Sequence, residues 1–108
     1  MTIVTLERYS DILQEYMESI ELSYRDVSDV LRHRGDGAVR TREFGIISRK
    51  TDNLRDLTTW RERINQLKDR EEDITQQELE DLYMSGKEIE LSMIDLKQDV
   101  FKLIIHMG

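Results

Sequence analysis

An all-α fold, drawn out as an antiparallel three-helix bundle or coiled coil, is what this sequence predicts, and three observations predict it. The 108 residues include no proline, the residue that most disrupts a helix interior. Apolar residues recur at intervals of three and four along three long stretches, and only a helix gathers such spacings onto one face. Two short breaks separate the stretches. The predicted helices lie near 5–34, 39–72 and 75–107, in a single helical domain spanning 1–108. Each would be roughly 45 Å long at ~1.5 Å per residue. Matched lengths and short connections favour an up-down-up arrangement. A competing arrangement pairs the second and third helices as a hairpin and leaves the first to pack on a second copy.

In the first helix the apolar stripe is Leu6, Tyr9, Leu13, Tyr16, Ile20, Tyr24, Val27 and Leu31. Its single 4-4 step, from Tyr16 through Ile20 to Tyr24, reads as a stutter, which relaxes a left-handed supercoil. Thr5 is the expected N-cap, and Arg32, His33 and Arg34 suit the negative end of the helix dipole. Gly35-Asp36-Gly37 then stops the helix, because glycine enters positive φ at little cost.

The second stripe is Phe44, Ile47, Leu54, Leu57, Trp60, Ile64 and Leu67, broken by Thr51 and shared with Arg61. It is the most polar of the three, and Gly45 within it is an expected late start or bend. The third helix has the clearest start. Thr75 and Glu78 have the spacing of a capping box, in which each side chain bonds the other's free backbone N–H. Leu79, Leu82, Gly86, Ile89, Met93, Leu96, Val100, Leu103 and Met107 follow in strict 3-4 alternation, a coiled-coil pattern. Gly86 at a seam position would let a neighbouring helix approach closely.

The C-terminal part of this helix is more apolar than one seam requires. From Met93 to Met107, nine of fifteen residues are apolar, so more than one side should be covered. Leu96, Val100, Phe101, Leu103, Ile104 and Ile105 are therefore the candidate partner-binding residues, and the expected partner is a second copy. In the up-down-up bundle Phe44, Ile47, Phe101 and Ile105 would lie together at one end, beneath the arginines of the basic turn.

Charge is distributed unevenly. The net charge is −7, yet residues 25–50 carry seven basic and four acidic groups, leaving −10 for the remainder. Arg40 and Arg42 at a helix start also oppose the dipole. Arg32, Arg34, Arg40, Arg42, Arg49 and Lys50 are accordingly the candidate anion or nucleic-acid contacts, helped by free backbone N–H groups at the helix start. Within this region, Leu22-Ser23-Tyr24-Arg25-Asp26-Val27-Ser28-Asp29-Val30-Leu31 followed by Gly37-Ala38-Val39-Arg40-Thr41-Arg42 resembles the helix-turn-helix of the sigma-factor region 4 family. The resemblance covers about a fifth of the chain and implies that the segment from Gly37 opens a helix that enters the DNA major groove. It departs from that pattern in a turn one residue longer and a first helix that runs on from Leu6.

Enzymatic chemistry is not expected. There is no cysteine, and His33 and His106 have no partner at metal-ligand spacing. No Gly-rich phosphate loop or nucleophile elbow occurs. No catalytic, cofactor or metal residue is assigned. Arg61 beside Trp60 is the one polar side chain on an apolar face that merits watching. No apolar run approaches the ~20 residues of a membrane span, and the N-terminus lacks the basic start and apolar stretch of a signal peptide. These features predict a soluble, cytoplasmic, non-enzymatic assembly or adaptor protein acting through coiled-coil packing and self-association. Nucleic-acid or phosphate binding by the basic turn 32–50 is the alternative.

Overall fold

Three helices of equal length run along one another in a computed structural model of the chain. They are α1 (Ile3–Arg34), α2 (Gly37–Lys68) and α3 (Gln76–Met107). The structure describes residues 1–34, 37–70 and 72–107, leaving aside the side chains of 31–34, 38, 39, 104, 106 and 107. The chain is all-α, with extents of 56 × 17 × 17 Å. Every pair of helices is in contact, so α1 packs on both α2 and α3 of its own chain, as in an up-down-up bundle. Pairings across α2 and α3 run in opposite directions, with Arg49 beside Asp99, Asn53 beside Ser92 and Trp60 beside Leu82. Those across α1 and α3 run in the same direction, with Tyr9 beside Tyr83 and Tyr16 beside Lys97.

The core identifies each seam. On α1 the fully or nearly buried residues are Leu6, Ser10, Leu13, Met17, Ile20 and Val27. This line steps evenly by four and three through Tyr24, so the expected stutter is absent. Ser10 and Met17, not Tyr9 and Tyr16, hold the centre. The tyrosines lie at the edge, where their hydroxyls can meet polar partners. Ser10 is satisfied in place, its hydroxyl donating to the Glu7 carbonyl at 2.9 Å. Thr2, not Thr5, caps this helix: its hydroxyl oxygen accepts from the Thr5 N–H at 3.3 Å.

On α2 the seam passes through Ile46, Asn53, Leu57, Trp60, Ile64 and Leu67. Phe44, Ile47 and Leu54, expected on it, are exposed, Phe44 at 71%. Stepping back from Leu57 by four reaches Asn53, and by three reaches Leu54. The polar residue occupies the seam because its side-chain carbonyl accepts a hydrogen bond from the Ser92 hydroxyl at 2.7 Å. The helix starts at Gly37, so Gly45 does not delay it. The last helical residue is Lys68, four residues before the expected end, and the chain turns through Arg70 N–H to Leu67 C=O at 3.0 Å.

On α3 Leu79, Leu82, Met93, Leu96, Val100 and Leu103 are buried in the predicted order. The capping box forms as read, with Glu78 N–H to the Thr75 hydroxyl at 3.1 Å and Thr75 N–H to the Glu78 carboxylate at 3.2 Å. Arg70 also reaches Glu78, at 3.3 Å, and ties the preceding turn to this start. Leu31 and Met107, assigned to seams from the sequence, have side chains outside the described residues.

Candidate interaction surfaces

The up-down-up order brings the end of α1, the start of α2 and the end of α3 to one end of the bundle. This is the basic end. Arg40 and Arg42 are exposed there and form no ion pair among the described residues. Arg49 and Lys50 are already engaged. Arg49 donates to the Asp99 carboxylate of α3, and the Lys50 ammonium lies 4.7 Å from the centre of the Tyr24 ring. Tyr24 in turn donates to the Glu43 carboxylate at 2.9 Å. Arg32 and Arg34 have side chains outside the described residues. A shallow groove of about 330 Å³ runs between α2 and α3 here, with Arg42, Arg49, Asp99 and Lys102 around Ile46 and Leu103.

The helix-turn-helix implied by the resemblance is not formed. Such motifs join two helices at a steep angle, whereas α1 is unbroken from Ile3 and α2 returns along it within a 17 Å cross-section. The segment from Gly37 instead opens the second of two long antiparallel helices, and Gly35 and Asp36, where the turn was expected, lie outside the described residues.

The predicted apolar partner residues divide into two groups. Leu96, Val100 and Leu103 are buried within the chain's own core. Phe101 and Ile105 project from α3, with Ile105 73% exposed. Ile104 lies outside the described side chains. Met84, Leu91 and Ile94 are exposed on the same helix. Together these residues fall at 84, 91, 94, 101 and 105, which is a second heptad stripe on the face of α3 turned away from the core. Sequence reading missed Met84 and Leu91 because it followed only the regular inner seam. The signal was present, displaced by two residues from that seam.

No protein-family model, curated protein or solved structure matches this chain.

Toward the end of the bundle that holds the starts of α1 and α3, a polar and aromatic cluster joins all three helices. Tyr9 stacks edge-on against Trp60, with ring centroids 5.5 Å apart, and lies 5.7 Å from Tyr83. The Tyr9 hydroxyl donates to the Glu90 carboxylate, which also accepts from Lys87 at 3.2 Å. Lys87 lies 5.4 Å and 5.5 Å from the centres of the Tyr9 and Tyr83 rings. Burial, and then the Glu90 hydrogen bond and charge, push the Tyr9 phenol well above its ordinary value. The Tyr9 hydrogen bond, joined by Lys87, holds the Glu90 carboxyl below the usual range against the opposing effect of burial. Both shifts follow from a network that neutralises its own charge. Tyr9, Glu90 and Lys87 partner one another within the chain, which suits fastening helices better than turning over a substrate.

Arg61 is likewise a fastening. Its guanidinium donates to the Ser10 carbonyl at 2.7 Å and reaches Asp11 at 3.3 Å, tying α2 to α1. Among the described residues, no group of three or more metal-ligating side chains comes together. No helix is long and apolar enough to cross a membrane, again among the described residues.

Proposed function

We propose that this chain is a non-enzymatic helical interaction module, a cytoplasmic assembly or adaptor protein that works by offering a helix face to another protein. One observation carries the reading: the outer face of α3 exposes apolar side chains at heptad spacing after the inner seam has been filled. Exposing Met84, Leu91, Ile94, Phe101 and Ile105 on one helix face is unfavourable in water, and covering them on binding recovers apolar burial at about 25 cal/mol per Å². The engaged charges of the Tyr9–Glu90–Lys87 cluster and of Arg49, Lys50 and Arg61 support the same reading, since they stiffen a platform.

Binding of tagged chain to proteins of its native source, itself included, tests this. Wild-type chain should retain a protein that Phe101→Asp and Ile105→Asp lose, with helical circular dichroism unchanged. Identical retention by wild type and both variants, or none by any, would sink the reading.

Phosphate binding at the basic end is the second reading, and exposed Arg40 and Arg42 favour it. It requires binding to a nucleic acid or polyphosphate that weakens steeply as salt rises. Loss of that binding in Arg40→Ala with Arg42→Ala would support it. Salt-insensitive retention of a protein by the same double variant would count against it.

A further inference from the structure

We infer that the outer face of α3 receives the same face of a second copy, with the two helices antiparallel. This deepens the interaction reading above and rests on it. The exposed stripe has Met84, Leu91, Gln98 and Ile105 at one heptad position and Lys87, Ile94 and Phe101 at the other. In an antiparallel pair, each position faces its counterpart of the opposite type. Setting Leu91 against the partner's Ile94 places Met84 against the partner's Phe101. The two polar members, Lys87 and Gln98, then meet each other. The layers from 84 to 101 thus match in polarity, and Ile105, at the end of the stripe, faces the partner's Glu80. Shifting one copy by a heptad would set Ile94 against Gln98 and Ile105 against Lys87, which buries apolar groups against polar ones.

The flanking charges choose the direction. The first half of α3 is mainly acidic, and Lys97 and Lys102 lie in the second half. In the antiparallel register, Glu90 flanks the partner's Lys97 and Asp81 flanks the partner's Lys102, and the two-fold axis repeats both pairs. Only Glu88 and the partner's Asp95 meet with like sign. A parallel pair would set Glu90 beside the partner's Asp95 and Lys97 beside the partner's Lys102, with no opposite-sign pair in exchange. Like-sign juxtaposition across a helix pair is unfavourable and governs partner orientation.

The chain has no cysteine, so single cysteines report geometry without background. Met84→Cys and Phe101→Cys chains are prepared separately, mixed, and treated with a short bis-maleimide. The antiparallel pair should give a covalent species of twice the 12.9 kDa chain mass in the mixture and little from either variant alone. Within one copy the two positions are about 25 Å apart along the helix, beyond the linker's reach. Sedimentation should show a wild-type dimer that becomes a monomer in Leu91→Asp with Ile94→Asp, helical content being kept. Self-linking of each single variant without linking in the mixture would overturn the orientation. A dimer that survives the double aspartate change would overturn the face. A wild-type monomer throughout the concentration series would overturn the second copy as occupant. The protein-retention experiment would still decide separately whether α3 binds a different protein.

Discussion

The indole of Trp60 fills the space that a side chain at position 86 would occupy. A Cβ on Gly86 would come within 2.5 Å of Trp60 Cζ2 and 2.9 Å of Tyr9 Cε2. With no Cβ there, the indole N–H reaches across α3 and donates to the Leu82 carbonyl at 2.7 Å. That carbonyl is also the helical acceptor for Gly86 itself. The glycine thus trades helix propensity for a direct bond between α2 and the backbone of α3.

The two glycines within helix interiors should therefore respond to alanine with opposite signs. At Gly45 nothing lies within 4 Å of a new Cβ, so Gly45→Ala should stabilise by up to about 1 kcal/mol through helix propensity. At Gly86 the same gain is outweighed by overpacking of about 1–3 kcal/mol and by strain on the indole hydrogen bond. Gly86→Ala should lower the denaturation midpoint and shift the emission of Trp60, the sole tryptophan. A Gly86→Ala chain as stable as wild type would show that the indole relocates freely.

The Tyr9–Glu90 pair makes stability depend on pH at both extremes. Tyr9 has a folded pKa raised above its ordinary 10.0, so the native state holds that proton more tightly than the unfolded chain does. Its contribution is complete below pH 10 and is lost as pH rises from there through the folded value. Glu90 has a folded pKa below its ordinary 4.5. Its contribution is complete above that value and is lost as pH falls through the lower folded one. Tyr9→Phe should flatten the alkaline limb, and Glu90→Gln should flatten the acid limb and weaken the alkaline one. Phenolate absorbance supplies the direct check: the spectrum lost in Tyr9→Phe should belong to a group that ionises above pH 10.

How much of this was legible in the sequence depends on whether apolar residues alone marked the seam. On α3 they did: Leu79, Leu82, Met93, Leu96, Val100 and Leu103 are buried as read, and Ile89 is half-buried beside them. Gly86 was legible as a seam position, though not the identity of the ring above it. On α1 and α2 the centre line passes through Ser10 and Asn53. A reading that follows hydrophobicity steps sideways at such positions, onto Tyr9 and Tyr16 in one helix and onto Leu54, Ile47 and Phe44 in the other. What permits the polar choice is a hydrogen bond that hydrophobicity does not show: to a backbone carbonyl one turn away for Ser10, and to Ser92 on a different helix for Asn53. The commitment of Arg49 to Asp99 was hidden for the same reason, since the two are fifty residues apart in sequence.

Asn53 offers the plainest test of a polar residue on the seam. Its amide nitrogen is buried and has no hydrogen-bond partner among the described residues, while its carbonyl is matched to Ser92. A buried donor without a partner costs about 1–3 kcal/mol. Asn53→Leu should remove that cost and add apolar packing beside Leu57, while exposed Ser92 finds water. The variant should raise the denaturation midpoint. A lowered midpoint would mean that the amide is worth more to the native bundle than its one visible bond.

Arg61 should show that its worth lies in shape as much as in charge. Only a planar fork donates to the Ser10 carbonyl at 2.7 Å and still reaches Asp11. The Asp11 side chain is well exposed, so that half is screened and contributes little. The bond to the Ser10 carbonyl is the part that matters, because it links α2 to α1 away from the turn that joins them. Arg61→Lys keeps the charge and loses the fork, and should cost roughly 1 kcal/mol. Asp11→Asn should cost much less. Denaturation midpoints of the two variants decide the matter. Equal losses in both would assign the effect to charge attraction, and raising the salt concentration would then erase it.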